Sequence, residues 1–99
     1  GRVHVVRWGG EEFLLLLPGT ADAALPLAPV IGAVAEPPID SAKGPLLVTC
    51  SIGYTWCDAA ERTQPGFPDA AIARADAALY RAKRAGRNRA LAAEAGDAP

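Results

Sequence analysis

Five consecutive apolar residues, Phe13-Leu14-Leu15-Leu16-Leu17, stand between Glu11-Glu12 and Pro18-Gly19, and they restrict the fold more than anything else in the chain. The run is too short for a stable helix, is bounded by glycine and proline, and does not alternate with polar residues. It therefore predicts a strand covered on both faces. Val3 to Trp8, mostly β-branched or aromatic, is a second strand-like run, and Gly9-Gly10 stops it. Two such runs flanking a Gly-Gly turn predict a β-hairpin, since glycine adopts positive φ at little cost. A doubly covered strand needs a neighbour on each side, and the hairpin supplies only one. The chain of 99 residues is one small domain.

Beyond the hairpin, Thr20 is a candidate N-cap, with Asp22 in the first turn, for a helix reaching about Glu36. Pro26 and Pro29 predict either a kink or a late start near Leu25. Pro37-Pro38 ends it, and Ile39 to Pro45 reads as a polar connection. Leu46 to Trp56 is one long strand, or two short ones meeting at a bulge near Gly53. Asp58 to Pro68 reads as a surface loop. Asp69 is placed to cap a helix running to about Ala85 and stopping before Gly86. Ile72, Asp76, Leu79 and Lys83 share one face of that helix, taken as the face toward the core. A short strand from Asn88 to about Ala92 follows. The order ββαβ(β)αβ makes an α+β fold, an antiparallel or mixed sheet with helices packed on it.

Composition narrows the function classes. Hydrophobic residues make up 51% and charged residues 21%, the balance of a globular chain rather than a disordered one. Ten basic residues against eleven acidic ones leave a net charge of −1, so no nucleic-acid polymer is expected as a partner, although a local basic patch remains open. No apolar run is long enough for a membrane span and the start does not resemble a signal peptide, so no membrane contact by this segment and a cytoplasmic location are expected. Cys50 and Cys57 sit in apolar, strand-like sequence and spell neither a redox motif nor a zinc site. Buried thiols in a reducing compartment are the simplest reading.

Two clusters carry chemistry. In Arg7-Trp8-Gly9-Gly10-Glu11-Glu12-Phe13, the glycines let a ligand approach the backbone and aim amides at phosphate oxygens. The adjacent carboxylates are hard oxygen donors of the kind Mg²⁺ takes. Taken alone, such a turn is more often a solvated hairpin tip. The second cluster places Arg81, Lys83, Arg84, Arg87 and Arg89 within nine positions. Favourable pairing of cations with a helix C-terminus accounts for Arg81 and Arg84 but poorly for Lys83, whose stem would run along the inner face. Arg87, just after Gly86, could grip a phosphate through paired donors.

Gly9-Gly10-Glu11-Glu12-Phe13, Val48-Thr49-Cys50-Ser51-Ile52-Gly53, Ala75-Asp76-Ala77-Ala78-Leu79-Tyr80-Arg81-Ala82-Lys83 and Gly86-Arg87-Asn88-Arg89 together resemble the successive signatures of the GGDEF family of diguanylate cyclases. The resemblance runs from about Val3 to Leu91, in order and at sensible spacing. It implies a ferredoxin-like fold akin to the palm of nucleotidyl cyclases and polymerases. It also implies an enzyme that condenses two GTP molecules into cyclic di-GMP with release of pyrophosphate, for bacterial second-messenger signalling. GTP is then the substrate, and a second protomer of the same domain is the partner in a homodimer. Mg²⁺, or Mn²⁺, is the implied cofactor. By position, Glu11 and Glu12 are the implied catalytic acids and metal ligands. Gly9 and Gly10 let the nucleotide lie against the hairpin, and Lys83 and Arg87 hold the β- and γ-phosphates. Ser51 and Gly53 are expected to serve the strand bulge, and Asp76 and Tyr80 to fix the helix against the sheet. His4 is expected to be a packing or surface residue, and Trp56 a packing residue.

The chain also departs from the family. An N-terminal strand with a further metal-binding Asp, and the Asn and Asp that read guanine, have no counterpart here. The expectation is that residues 1–92 form the C-terminal part of a GGDEF domain with its N-terminal part missing, followed by a flexible tail, 93–99. Cyclase activity then belongs to the complete domain, the isolated 99 residues being inactive. The family's Arg-x-x-Asp product-inhibition site would place its Asp at Val3, so inhibition through that site is not expected. A catalytically inactive module that binds GTP or a protein partner is the alternative, and a bare interaction fragment a third.

Overall fold

A computed structural model of the chain describes residues 4–7, 12–16, 27–36 and 38–94. In chain order the elements are β1 (His4–Arg7), β2 (Phe13–Leu16), α1 (Leu27–Ala35), β3 (Ile39–Ser41), β4 (Gly44–Leu46), β5 (Ile52–Tyr54), α2 (Ala59–Arg62), α3 (Asp69–Arg84) and β6 (Ala90–Ala92). β1 and β2 pair antiparallel, from His4 opposite Leu16 to Arg7 opposite Phe13, which is the expected hairpin. β3 and β4 form a second antiparallel pair. β5 and β6 pair parallel, Ile52 opposite Ala90, as strands joined by a helical crossover do. The chain is α+β, in keeping with the palm-like fold that the resemblance implies.

Helix α3 packs against β5 and β6. Seven of its sixteen residues are alanine, the strongest helix former, and one whose small side chain lets a helix approach a sheet closely. Ala78 and Ala82 are fully buried and Ala71 nearly so. The buried stripe is thus one position off the face expected from the sequence: Ile72, Leu79 and Lys83 are half-buried and Asp76 is exposed. Alanines at 71, 75, 78 and 82 share the same four-three-four spacing, so periodicity alone does not separate the two stripes.

Gly53 explains the close approach. A Cβ built there would overlap the Ala75 carbonyl oxygen and the Leu79 nitrogen and lie 2.7 Å from the Leu79 Cα. This glycine sits inside β5 and serves helix packing, not the expected bulge. The stretch from Leu46 to Trp56 is neither one long strand nor two: it opens on the last residue of β4 and holds only β5, Ile52–Tyr54, which lies in a different sheet.

Other expectations meet local physics. Thr20, Asp22 and Pro26, on which the expected start of the first helix turns, lie outside the described residues; α1 is described from Leu27, with Pro29 in its first turn, where the missing amide costs no helical hydrogen bond. The connection from Ile39 to Pro45 is a hairpin instead, its turn held by the Ser41 hydroxyl donating to the Gly44 carbonyl. The loop after Asp58 contains α2, because the Asp58 carboxylate accepts the Glu61 N–H at 2.7 Å. Asp69 is the first residue of α3 rather than its cap, and Pro68 holds the cap position. Cover on both faces of β2 is not found among the described residues, where Phe13 is 63% and Leu15 51% exposed. Cys50 and Cys57 are free and half-buried rather than fully buried. Burial, reinforced by the Glu61 carboxylate, pushes the Cys57 thiol above its ordinary value of 9.0, so it stays neutral at physiological pH.

Candidate functional site

Of the hairpin residues expected at the site, Gly9, Gly10 and Glu11 lie outside the described residues, as does Trp8. Glu12 is described and half-buried at the head of β2. Together with Leu14, two positions on and on the same side of the strand, it lines a cleft against α3. Gly53, Ile72, Asp76 and Leu79 form the opposite wall. The bare α-carbon of Gly53 thus lets α3 settle close enough to bring its wall opposite Glu12. Asp76 stands exposed at this cleft rather than bracing the helix against the sheet, as the sequence reading expected.

Lys83 lies one helical turn beyond Leu79, about 6 Å along the axis, so it extends the cleft-lining face toward the C-terminal end of α3. There the five clustered cations separate. Arg81 donates to the Ala92 carbonyl at 2.8 Å and lies 3.5 Å from the Glu94 carboxylate. Arg84 donates to the Tyr80 hydroxyl at 3.2 Å, its guanidinium 5.8 Å from the ring centre. Tyr80 is 60% exposed and occupied in this way, so it too does not hold the helix to the sheet. Arg89 donates through Nε to the Arg87 carbonyl at 3.0 Å. The Lys83 ammonium and the Arg87 guanidinium make no hydrogen bond or ion pair with another described residue. These are the two cations that the resemblance assigns to phosphates.

The presentation of Arg87 is built by the end of α3. Gly86 has φ +124°, and the chain then closes with the Arg87 N–H on the Ala82 carbonyl (3.0 Å) and the Gly86 N–H on the Lys83 carbonyl (3.4 Å). This is the paired hydrogen-bond pattern that satisfies the last helical carbonyls. Arg87 and Asn88 follow at φ +62° and +52°, left-handed values that residues with a Cβ avoid and asparagine tolerates best. The Asn88 N–H donates to the Ser51 hydroxyl at 3.2 Å, and the Ile52 N–H to the Arg89 carbonyl at 2.9 Å. Ser51 thus ties the turn to the head of β5 rather than serving a bulge. Sequence reading missed this role for Ser51 and Arg89, although the Gly-Arg-Asn run was a visible signal of left-handed backbone.

For the divalent cation that the resemblance implies, the fit rests on donor chemistry. The Glu12 carboxylate at the cleft is a hard oxygen ligand of the right kind. Among the described residues no helix is long and apolar enough to cross a membrane.

Comparison with known proteins agrees with the quoted motifs. Residues 2–89 match the family described as "Diguanylate cyclase, GGDEF domain". Among curated proteins, the chain is 46% identical over 87 residues to "Diguanylate cyclase DgcP" of Pseudomonas aeruginosa, covering 86% of this chain and 12% of that protein. It is 48% identical over 91 residues to "Diguanylate cyclase DgcM" of Escherichia coli K12, covering 90% of this chain and 20% of that protein. The chain therefore spans a fifth or less of the length of these relatives. No solved structure matches it. With its motifs in order and nearly its whole length matched, this chain belongs to the GGDEF family of diguanylate cyclase domains.

Proposed function

We propose that this chain contributes the hairpin and phosphate-binding half of a cytoplasmic diguanylate cyclase, which joins two GTP molecules into cyclic di-GMP for bacterial signalling. In that reaction the 3′-hydroxyl of each GTP attacks the α-phosphorus of the other and displaces pyrophosphate. Two protomers, each holding one GTP, would face each other across a two-fold axis. The observation that carries the reading is the division of labour among the basic residues. Arg81, Arg84 and Arg89 are engaged within the fold, whereas the cations of Lys83 and Arg87, at the end of the helix whose face lines the Glu12 cleft, have no partner among the described residues.

Each group has a task that follows from its chemistry. Lys83, as a compact point charge, and Arg87, as a planar fork, would neutralise and orient the β- and γ-phosphates. Gly9 and Gly10 would let the nucleotide lie against the hairpin backbone. Glu11 and Glu12 would hold the Mg²⁺, which when bound supplies charge stabilisation at phosphate oxygens. Glu12 would also stand as an acidic group beside the reacting hydroxyl.

Conversion of GTP to cyclic di-GMP by the intact protein with Mg²⁺, followed by chromatography, tests this. Glu12→Gln keeps the side-chain shape and removes the charge, and is expected to lower turnover by about a hundredfold or more. Undiminished turnover would overturn the role of Glu12. An intact protein that binds GTP without converting it would be a regulatory nucleotide-binding module instead.

A further inference from the structure

Two consecutive residues with side chains, Arg87 and Asn88, sit at positive φ immediately after Gly86, itself at φ +124°. Such backbone persists only where its surroundings determine it. Here two side chains outside the implied phosphate contacts do so. The Arg89 Nε–H donates to the Arg87 carbonyl at 3.0 Å, and its guanidinium lies across Gly86, 2.9 Å from where a Cβ would stand. The Ser51 hydroxyl accepts the Asn88 N–H at 3.2 Å. The next ladder bond, Ile52 N–H to the Arg89 carbonyl, anchors the far side of the turn to β5.

We propose that Arg89 and Ser51 are positioning residues that set GTP affinity without touching the nucleotide, by locking the double left-handed turn from which Arg87 projects. The proposal rests on the reading of Arg87 as a phosphate contact. A guanidinium that must meet phosphate oxygens in a fixed fork depends on its backbone more than a flexible ammonium does. Releasing the turn should therefore be felt through Arg87 and not through Lys83.

Arg89 offers a clean test because its donor and its charge can be separated. Glutamine carries an N–H group at the same distance along the side chain as the arginine Nε but has no charge. Lysine keeps the charge and moves the donor one atom further out. The probe is 3′-deoxy-GTP with Mg²⁺, which keeps the triphosphate and lacks the reacting hydroxyl, titrated calorimetrically into the intact protein. Arg89→Ala and Ser51→Ala are each expected to weaken binding about tenfold, with Arg89→Gln close to the parent. In an Arg87→Ala background, Arg89→Ala should cost nothing further.

Retained affinity in Arg89→Lys alongside loss in Arg89→Gln would overturn the proposal, since the charge would then be meeting the nucleotide directly. Full additivity of Arg87→Ala and Arg89→Ala would overturn it as well. Amide hydrogen exchange at Asn88 provides the readout independent of nucleotide. It should accelerate in Ser51→Ala and Arg89→Ala and not in Arg89→Gln. If Arg87→Ala binds the probe as tightly as the parent, the phosphate reading of Arg87 fails and with it the link to affinity. The exchange rates then show separately whether the turn lock stands.

Discussion

At Gly53 a single methyl group meets backbone on two sides, because the Ala75 carbonyl and the Leu79 nitrogen occupy the volume a Cβ needs. Backbone in mid-helix cannot swing aside as a side-chain tip can, so the whole of α3 would have to lift from β5. Gly53→Ala is therefore expected to lower the unfolding free energy by about 3 kcal/mol, read as a reduced urea midpoint. A substitution leaving the midpoint in place would show that α3 does not sit this close to the strand. The presence of Gly53 in an apolar stretch was visible in the sequence, but its reason was not. A bulge and a close helix contact both select glycine, and only the partner across the gap separates them. The place of Glu12 beside a turn was legible from Gly-Gly-Glu-Glu, and its place at a cleft against α3 was not. Ser51 and Arg89 were not, because their hydrogen bonds run to the backbone of a turn whose φ values no residue spacing specifies.

Among the elements, α3 is the organiser, and α2 is attached to it chiefly by one ionic contact. Arg74 on α3 reaches the Glu61 carboxylate of α2 at 2.6 Å, both side chains about a quarter exposed, and its Nε donates to the Thr55 hydroxyl at 3.4 Å. One guanidinium thus ties the segment after β5 to the helix that covers β5. A partly exposed pair with this geometry is worth about 1 kcal/mol. A double-mutant cycle with Arg74→Met and Glu61→Gln is expected to return a coupling energy of that size that shrinks at high salt. A coupling of zero would show that this contact does not hold α2 to α3. The cap was readable as Asp58-Ala59-Ala60-Glu61, a pattern of the kind that opens helices, yet Pro65, Gly66 and Pro68 nearby favoured a loop. A four-residue helix is too short for periodicity to announce it.

Over the whole molecule, burial is uneven. The fully buried side chains among the described residues are alanines, while Val5, Phe13 and Leu15 are 60%, 63% and 51% exposed. Val5 is opposite Leu15 and Arg7 opposite Phe13, which puts the three apolar side chains on one face of a hairpin. Among the described residues neither strand of that hairpin has a second neighbour. A sheet with an apolar face and unpaired edges invites association. The 99-residue chain by itself is expected to show concentration-dependent association in sedimentation velocity, reduced by Phe13→Thr with Leu15→Thr. A monomer at all concentrations would mean that this face is covered from within. Membership of the GGDEF family, the hairpin around the acidic turn and the long C-terminal helix were all determined by the sequence alone. Such features are local, or follow from the order of short motifs along the chain. Tertiary structure alone decided which stripe of α3 is buried, why β5 carries a glycine, and which cations of the basic cluster have no partner among the described residues. Each of those turns on what stands across a gap of a few ångströms, and residues far apart in the chain meet there only after folding.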